Sequence, residues 1–366
     1  MNWLLLALLL TVEQGYGPYA RPLNGGDAAV APARGGALLA WSEENRIRTG
    51  WLDSRGQLAS EVHTLPVQTS RSSAIAPAAA SDGNLFFVAW VEIESGLQRT
   101  MGVIVARDGA PLGEPRQYGK ALAIASNDFT MHLVWDGNAY RLWGGGKVST
   151  IDRAGNVLAA VDLAQMPSGA DASNGVDATS SSRVALLHCG FSWCTWDSRV
   201  TWTIGAKSDY LQLQQVSGPV TVPSTTQAVR ALPLPPTVVA DARERFIIAW
   251  PAREGIRYLI PGEGSNSVSA SPDTSTRPGL ACDDTRCVIA YSQSGDVQAF
   301  AFEIDRLFGA ELLTIAATER TERTPQVHAL GNQRFLVLYR SDSVDGARMR
   351  WRILTFGTQR QRGIRR

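Results

Sequence analysis

The chain has 366 residues, 44% of them apolar and 19% charged, with a formal net charge of +1. That composition excludes wholesale disorder and supplies the apolar side chains for a large core. The near-zero net charge excludes a global field drawing nucleic acid or anionic lipid, so no nucleic-acid partner is expected.

The N-terminus carries an apolar run of about ten residues around Leu4-Leu5-Leu6-Ala7-Leu8-Leu9-Leu10. Such a run fits a secretory leader and is too short to span a bilayer. Gly15-Tyr16-Gly17 offers small residues for cleavage, although Pro18 follows and no Lys or Arg precedes the run. The reading is a signal peptide over residues 1–17, a secreted or periplasmic protein and no transmembrane span. A buried N-terminal segment is the alternative.

Beyond it, an apolar run ending in an aromatic residue returns roughly every 50 residues, a period that marks strand-type repeats. The copies are Ala37–Trp41, Leu85–Trp90, Ala139–Trp143, Phe246–Trp250, Cys287–Tyr291 and Phe335–Tyr339, with a seventh near Trp196 once the cysteines are aligned. In the template unit, Pro77–Ala80 reads as a first strand and Asp82-Gly83 as a tight turn. Leu85–Trp90 is an inner strand covered on both faces. Thr100–Ala106 is a third strand, and residues 112–118 are a polar fourth. The turn between third and fourth strands recurs as Asp53-Ser54-Arg55-Gly56 and Asp152-Arg153-Ala154-Gly155, and more loosely at Asp305–Gly309. Residues 167–182 and 217–238 read as long connections between units.

Four antiparallel strands per unit describe a propeller blade. The expected fold is therefore all-β: a seven-bladed β-propeller of four-stranded antiparallel blades over residues 18–357. The last unit lacks a fourth strand, so Tyr19–Leu23 is expected to close the ring there. Residues 358–366, with Arg360, Arg362, Arg365 and Arg366, form a basic flexible tail.

The four cysteines form two C-x4-C pairs, Cys189/Cys194 and Cys282/Cys287. Two identical local pairs suggest two hairpin disulfides and an oxidising compartment. Each would contribute about 2 kcal/mol on the chain-entropy model. One zinc shared by both pairs is the alternative, although zinc favours C-x2-C spacing.

On these motifs the chain resembles exported bacterial β-propellers with blades reading apolar–Asp-Gly–apolar run–Trp, then Asp-x-x-Gly-x-Leu. Ala80-Ser81-Asp82-Gly83-Asn84 with Trp90 and Val134-Trp135-Asp136-Gly137-Asn138 with Trp143 carry the first half. The resemblance implies an architecture and no particular activity. The chain has neither the Gly-His…Trp-Asp pattern of WD40 repeats nor a Ser-x-Asp-x-Gly-x-x-Trp box.

No catalytic motif stands out. His63, His132, His188 and His328 are scattered and read as strand residues. Gly144-Gly145-Gly146-Lys147 lacks the strand–loop–helix context of a phosphate cradle. No metal or other cofactor is expected. The segments after each second strand carry Glu43, Glu44, Glu92, Arg253 and Arg340, which would share one ring face. Between Cys189 and Cys194, Phe191 and Trp193 place aromatics where a polar tip is usual; these could stack on a sugar or anchor a protein. The functional expectation is a monomeric, non-catalytic binding protein for a glycan or protein ligand. The alternative is a glycoside hydrolase using a carboxylate pair on that face.

Overall fold

Every regular element among the described residues is a strand. The computed structural model describes residues 10–16, 28–58, 61–123, 131–135, 137–144, 147–162, 185–189, 192–196, 201–207, 210–216, 229–230, 237–240, 246–252, 255–260, 264–273, 276, 278–304, 306–343 and 346–356. Among them no helix is long and apolar enough to cross a membrane.

The strands form seven antiparallel sheets. After β1 (Leu10–Tyr16), sheet 1 holds β2 (Ala28–Ala33), β3 (Gly36–Glu43), β4 (Arg46–Asp53) and β5 (His63–Thr64). Sheet 2 holds β6 (Ser73–Ser81), β7 (Phe86–Glu94), β8 (Leu97–Val105), β9 (Arg116–Gln117) and β10 (Leu122–Ala123). Sheet 3 holds β11 (His132–Trp135), β12 (Tyr140–Gly144), β13 (Lys147–Ile151) and β14 (Val157–Asp162). Sheet 4 holds β15 (Ala185–Cys189), β16 (Ser192–Trp196), β17 (Thr201–Lys207), β18 (Tyr210–Val216) and β19 (Val229–Arg230). Sheet 5 holds β20 (Thr237–Ala240), β21 (Phe246–Ala252), β22 (Gly255–Ile260) and β23 (Gly264–Ser269). Sheet 6 holds β24 (Gly279–Cys282), β25 (Arg286–Gln293), β26 (Asp296–Glu303) and β27 (Arg306–Ala316). Sheet 7 holds β28 (Thr321–Gly331), β29 (Arg334–Ser343) and β30 (Gly346–Phe356), with β1 paired to β30. Consecutive up-and-down sheets of this kind are the elements of a β-propeller.

The second strands are apolar at almost every position because each is covered on both faces. Successive side chains point to opposite sides. Phe86, Val88 and Trp90 of β7 therefore pack with Leu38 and Ala40 of sheet 1. Phe87 and Ala89 pack with Leu133, Tyr140 and Leu142 of sheet 3. The same division joins sheets 5 and 6 through Tyr258 and Phe300. It joins 6 and 7 through Val288 and Phe335, and 7 and 1 through Trp351 and Trp41.

A second link is polar and recurs. The outer hairpins of sheets 1, 2 and 3 share one backbone pattern, with N–H bonds from Asp53 to Gln57 O, Ala106 to Ala110 O and Asp152 to Asn156 O. Their glycines Gly56, Gly109 and Gly155 have φ of 76°, 98° and 80°, which only glycine adopts without strain. Asp53 Oδ1 accepts from the N–H groups of Arg55 and Gln57. Asp152 Oδ1 accepts from those of Ala154 and Asn156. Each hairpin docks on the sheet before it through its glycine carbonyl. Gly56 O accepts from Trp351 Nε1 at 2.6 Å, Gly109 O from Thr49 Oγ1 at 2.7 Å, and Gly155 O from Tyr118 OH at 2.8 Å. The Tyr118 hydroxyl's pKa is pushed up to about 12 by burial.

The elements differ from expectation in four places. The strand seen against β30 is Leu10–Tyr16, inside the segment read as a leader; residues 19–23, expected to close the ring, lie outside the described residues. The fourth-strand position of sheet 2 is filled by two short strands, Arg116–Gln117 and Leu122–Ala123, both paired with β8, in place of one continuous strand. The expected connection 217–238 contains β19, which pairs with β18, and the start of β20. In sheet 4, Cys189 pairs with Ser192 and Leu187 with Cys194. Cys189 and Cys194 are therefore not directly opposite each other along these strands. Connection 167–182, the tail 358–366 and the side chains of Cys189 and Cys194 lie outside the described residues. Cys282 and Cys287 are directly opposite and form a disulfide, Cα to Cα 4.0 Å.

A Cβ added at Gly56 would stand 2.8 Å from Ile353 Cγ1, whereas one at Gly83 (φ 99°) would meet nothing within 4 Å. Gly83→Ala should therefore cost only backbone strain, about 1 kcal/mol, and Gly56→Ala clearly more. Equal losses in urea denaturation would show that the docked hairpin adds nothing to stability.

Candidate functional site

The turns between second and third strands share one end of their sheets with the connections that enter the first strands. In sheets 1, 2 and 6 these turns are two residues long, because pairing continues to Glu43↔Arg46, Glu94↔Leu97 and Gln293↔Asp296. Both turn residues have positive φ: Glu44 (49°) and Asn45 (62°), Ser95 (50°) and Gly96 (78°), Ser294 (54°) and Gly295 (88°). This geometry matches the twist of the flanking strands. Glycine and asparagine suit it; Glu44, which is exposed, is an unusual residue for a left-handed conformation.

The consequence for the predicted site is direct. Glu43 and Glu92 are strand residues and not loop residues. Glu43 is held by Arg48 at 3.4 Å. Glu92 is fully buried, and its Oε1 accepts from Gln68 N at 3.1 Å. Glu94 accepts from the Thr69 hydroxyl at 2.6 Å and from Arg99 at 3.0 Å. The Thr69 and Arg99 hydrogen bonds hold the Glu94 carboxyl below the usual carboxylate range. Arg46 donates to the carbonyls of Ser72 at 2.9 Å and Ser70 at 3.3 Å, fastening the connection into sheet 2.

Arg340 donates through Nε to Asp342 Oδ1 at 2.6 Å. Arg323, directly opposite Arg340 on β28, donates to the other oxygen, Oδ2. The structure brings Arg340 and Glu43 to one seam. Arg340 shares a strand face with Leu336 and Leu338, and Glu43 with Leu39 and Trp41, the side chains that pack between sheets 7 and 1. Glu92 belongs to the next seam, where Ser42 Oγ donates to Ala74 O at 2.9 Å. Trp193 lies within β16, paired with His188 and Ile204. Phe191 and Arg253 lie outside the described residues. All four histidines are in strands; burial pushes His328 down to about 3. Among the described residues no three His, Cys, Asp or Glu side chains gather as metal ligands would.

Sequence reading missed two residues here. Glu322 is fully buried opposite Ser341, and its Oε1 accepts from the Thr318 hydroxyl at 2.5 Å. Arg323 shares Asp342 with Arg340. The available signal was the tandem Thr318-Glu319-Arg320-Thr321-Glu322-Arg323, which departs from the apolar first strands of the other units.

No family model matches the chain, and no curated protein matches it. Among solved structures it is similar to the Dos1 propeller, at 10% identity and TM-score 0.44, covering 93% of this chain and 95% of that one. It is also similar to a Dyadobacter fermentans protein of unknown function, at 10% identity and TM-score 0.43, covering 94% and 99%. A third is AztD from Citrobacter koseri, at 12% identity and TM-score 0.40, covering 80% and 73%. At such scores the propeller fold rests on the sheets themselves and not on the likeness.

The Glu94 interactions carry a pH dependence. A carboxyl held below its ordinary 4.5 contributes stability that is fully present above that value. The contribution is lost as the pH falls through the folded-state pKa. Wild type should melt above Glu94→Gln at neutral pH, and the two melting curves should converge as the pH falls below about 4. Parallel curves would show that the Glu94 pairs contribute nothing.

Proposed function

We propose that this chain is an exported, non-catalytic binding protein: a seven-bladed ring that recognises a glycan or protein ligand on the face of its second-to-third strand turns. The observation that carries this reading is the state of the charged groups there. Glu43, Glu92, Glu94 and Asp342 are each engaged by a donor on a paired strand or an adjoining connection. Glu43, Glu94 and Asp342 keep part of their side chains exposed on rigid strands, which suits recognition on an open surface, while the buried Glu92 fastens the connection beneath. Cleavage of a glycosidic bond would instead use two carboxylates facing each other across a gap, and these engaged groups lend that alternative no support.

Export is proposed from the apolar N-terminal run and an oxidising compartment from the Cys282–Cys287 disulfide; a Cys189–Cys194 bond would complete the pattern. Closure by an N-terminal strand in sheet 7 belongs to the same proposal. Leu10–Tyr16 takes that place in the full chain, and Tyr19–Leu23 would take it once the leader is removed. Deleting residues 1–24 should lower the melting temperature sharply, whereas deleting 1–17 alone should not; an unchanged value after the longer deletion would remove closure.

The binding reading is tested by a glycan array and a protein-partner capture on the full chain made under oxidising conditions, beside Trp193→Ala. Saturable binding is expected. Loss in the variant would place the contact on sheet 4, and retention would place it among the charged positions. Failure of both screens would overturn the reading.

A further inference from the structure

We infer that the paired arginines of sheet 7, Arg323 and Arg340, form a binding point for the carboxylate of an acidic sugar, at the mouth of the seam between sheets 7 and 1. The inference rests on the binding-protein reading and names the ligand class.

Sheets 2 and 7 share a backbone device that makes the argument quantitative. Each first strand breaks register at an X-Pro bulge, Ala76-Pro77 (φ 50° at Ala76) and Thr324-Pro325 (φ 51° at Thr324). Just before the bulge, one residue of the first strand faces one of the second. In sheet 2 the pair is Ile75 and Val91, 4% and 5% exposed. In sheet 7 the same two places hold Arg323 and Arg340. Both pairs point toward the following sheet, Val91 in step with Phe87 and Ala89, Arg340 in step with Leu336 and Leu338. The fold at this position is therefore satisfied by an apolar pair. Two like charges directly opposite each other are unfavourable, so the arginines do not serve the backbone.

One carboxylate, Asp342, orients both guanidinium groups: Arg340 Nε on Oδ1 and Arg323 Nη2 on Oδ2. Two positive charges thus share one negative charge. Their side chains stay 45% and 25% exposed, so donors remain for a second oxyanion. Guanidinium groups bind carboxylates through parallel N–H bonds, and orientation in advance reduces the entropy lost on binding. Glu43, held by Arg48, lines the facing strand, and Glu319 and Arg320 precede the pair on the chain. Two guanidinium groups less the shared Asp342 carboxylate leave one net positive charge, the match for one anion. An isolated carboxylate on a neutral, hydroxyl-rich backbone fits it better than a run of acidic side chains.

The test is titration calorimetry of the full chain with a galactose tetramer carrying a single galacturonate, the all-neutral galactose tetramer and tetraglutamate. It is run beside the double variant Arg323→Ile/Arg340→Val, which installs the pair of sheet 2, and beside Arg340→Gln. The uronate should bind, more weakly at high salt, and the neutral sugar at least tenfold less tightly. The double variant should melt no lower than wild type and lose uronate affinity at least tenfold, with a smaller loss for Arg340→Gln. Uronate binding unchanged in both variants, or tetraglutamate bound as tightly as uronate, would overturn the inference. Neutral sugar bound as well as acid would also overturn it while leaving the binding-protein reading standing. No binding of any probe would overturn it too; the broader reading would then fall only if the array and partner capture were also blank.

Discussion

The docking of the outer hairpins of sheets 1, 2 and 3, each on the sheet before it, is the contact on which the alignment of these sheets depends. Apolar packing between sheets is strong but has no direction, and flat faces covered in valine, alanine and leucine could slide. The carbonyl of the hairpin glycine, Gly56, Gly109 or Gly155, has direction. It accepts from Trp351, Thr49 or Tyr118, in buried surroundings where an unpaired carbonyl would be costly. Alignment follows from satisfying that group. The aspartate that begins the hairpin in sheets 1 and 3 shapes it, and the glycine's positive φ presents the carbonyl outward.

The seams between sheets are not uniformly apolar. Near the turn face, a serine one residue after the anchor aromatic of the leading sheet, Ser42 or Ser292, is buried, as is a glutamate of the following sheet, Glu92 or Glu322. Each glutamate accepts a bond from the connection entering its sheet, from Gln68 N or the Thr318 hydroxyl. The glutamate comes from the second strand in one case and the first in the other, opposite a small residue, Ala74 or Ser341. Volume and charge at this level are thus kept while the strand of origin changes. The polar seams tie the connections down, and the two-residue turns beside them leave charged side chains on a firm base.

Much of the architecture was legible in the chain. The Trp and Tyr anchors recur because each second strand must fill the gap to two neighbours, and that demand repeats with the unit. Asp-x-x-Gly marked the outer hairpin because its φ and its aspartate bonds are local. The Cys282–Cys287 bond was legible for the same reason: a hairpin places its flanking residues opposite each other. The candidate site was less legible. Glu43 and Glu92 looked like loop residues because charge is common in loops, but pairing to Glu43↔Arg46 and beyond Glu92 made them strand residues.

By itself the sequence determined the unit: strand, turn and spacing, all set by side-chain alternation and turn chemistry within about fifty residues. Only the tertiary structure decided which charges meet. Asp342 between Arg323 and Arg340, Glu43 across from sheet 7, and Leu10–Tyr16 against β30 join residues from different strands and distant parts of the chain. Their juxtaposition depends on register and on which face each strand turns to its neighbour. A shift of one residue reverses that face, and no local pattern in the sequence specifies it.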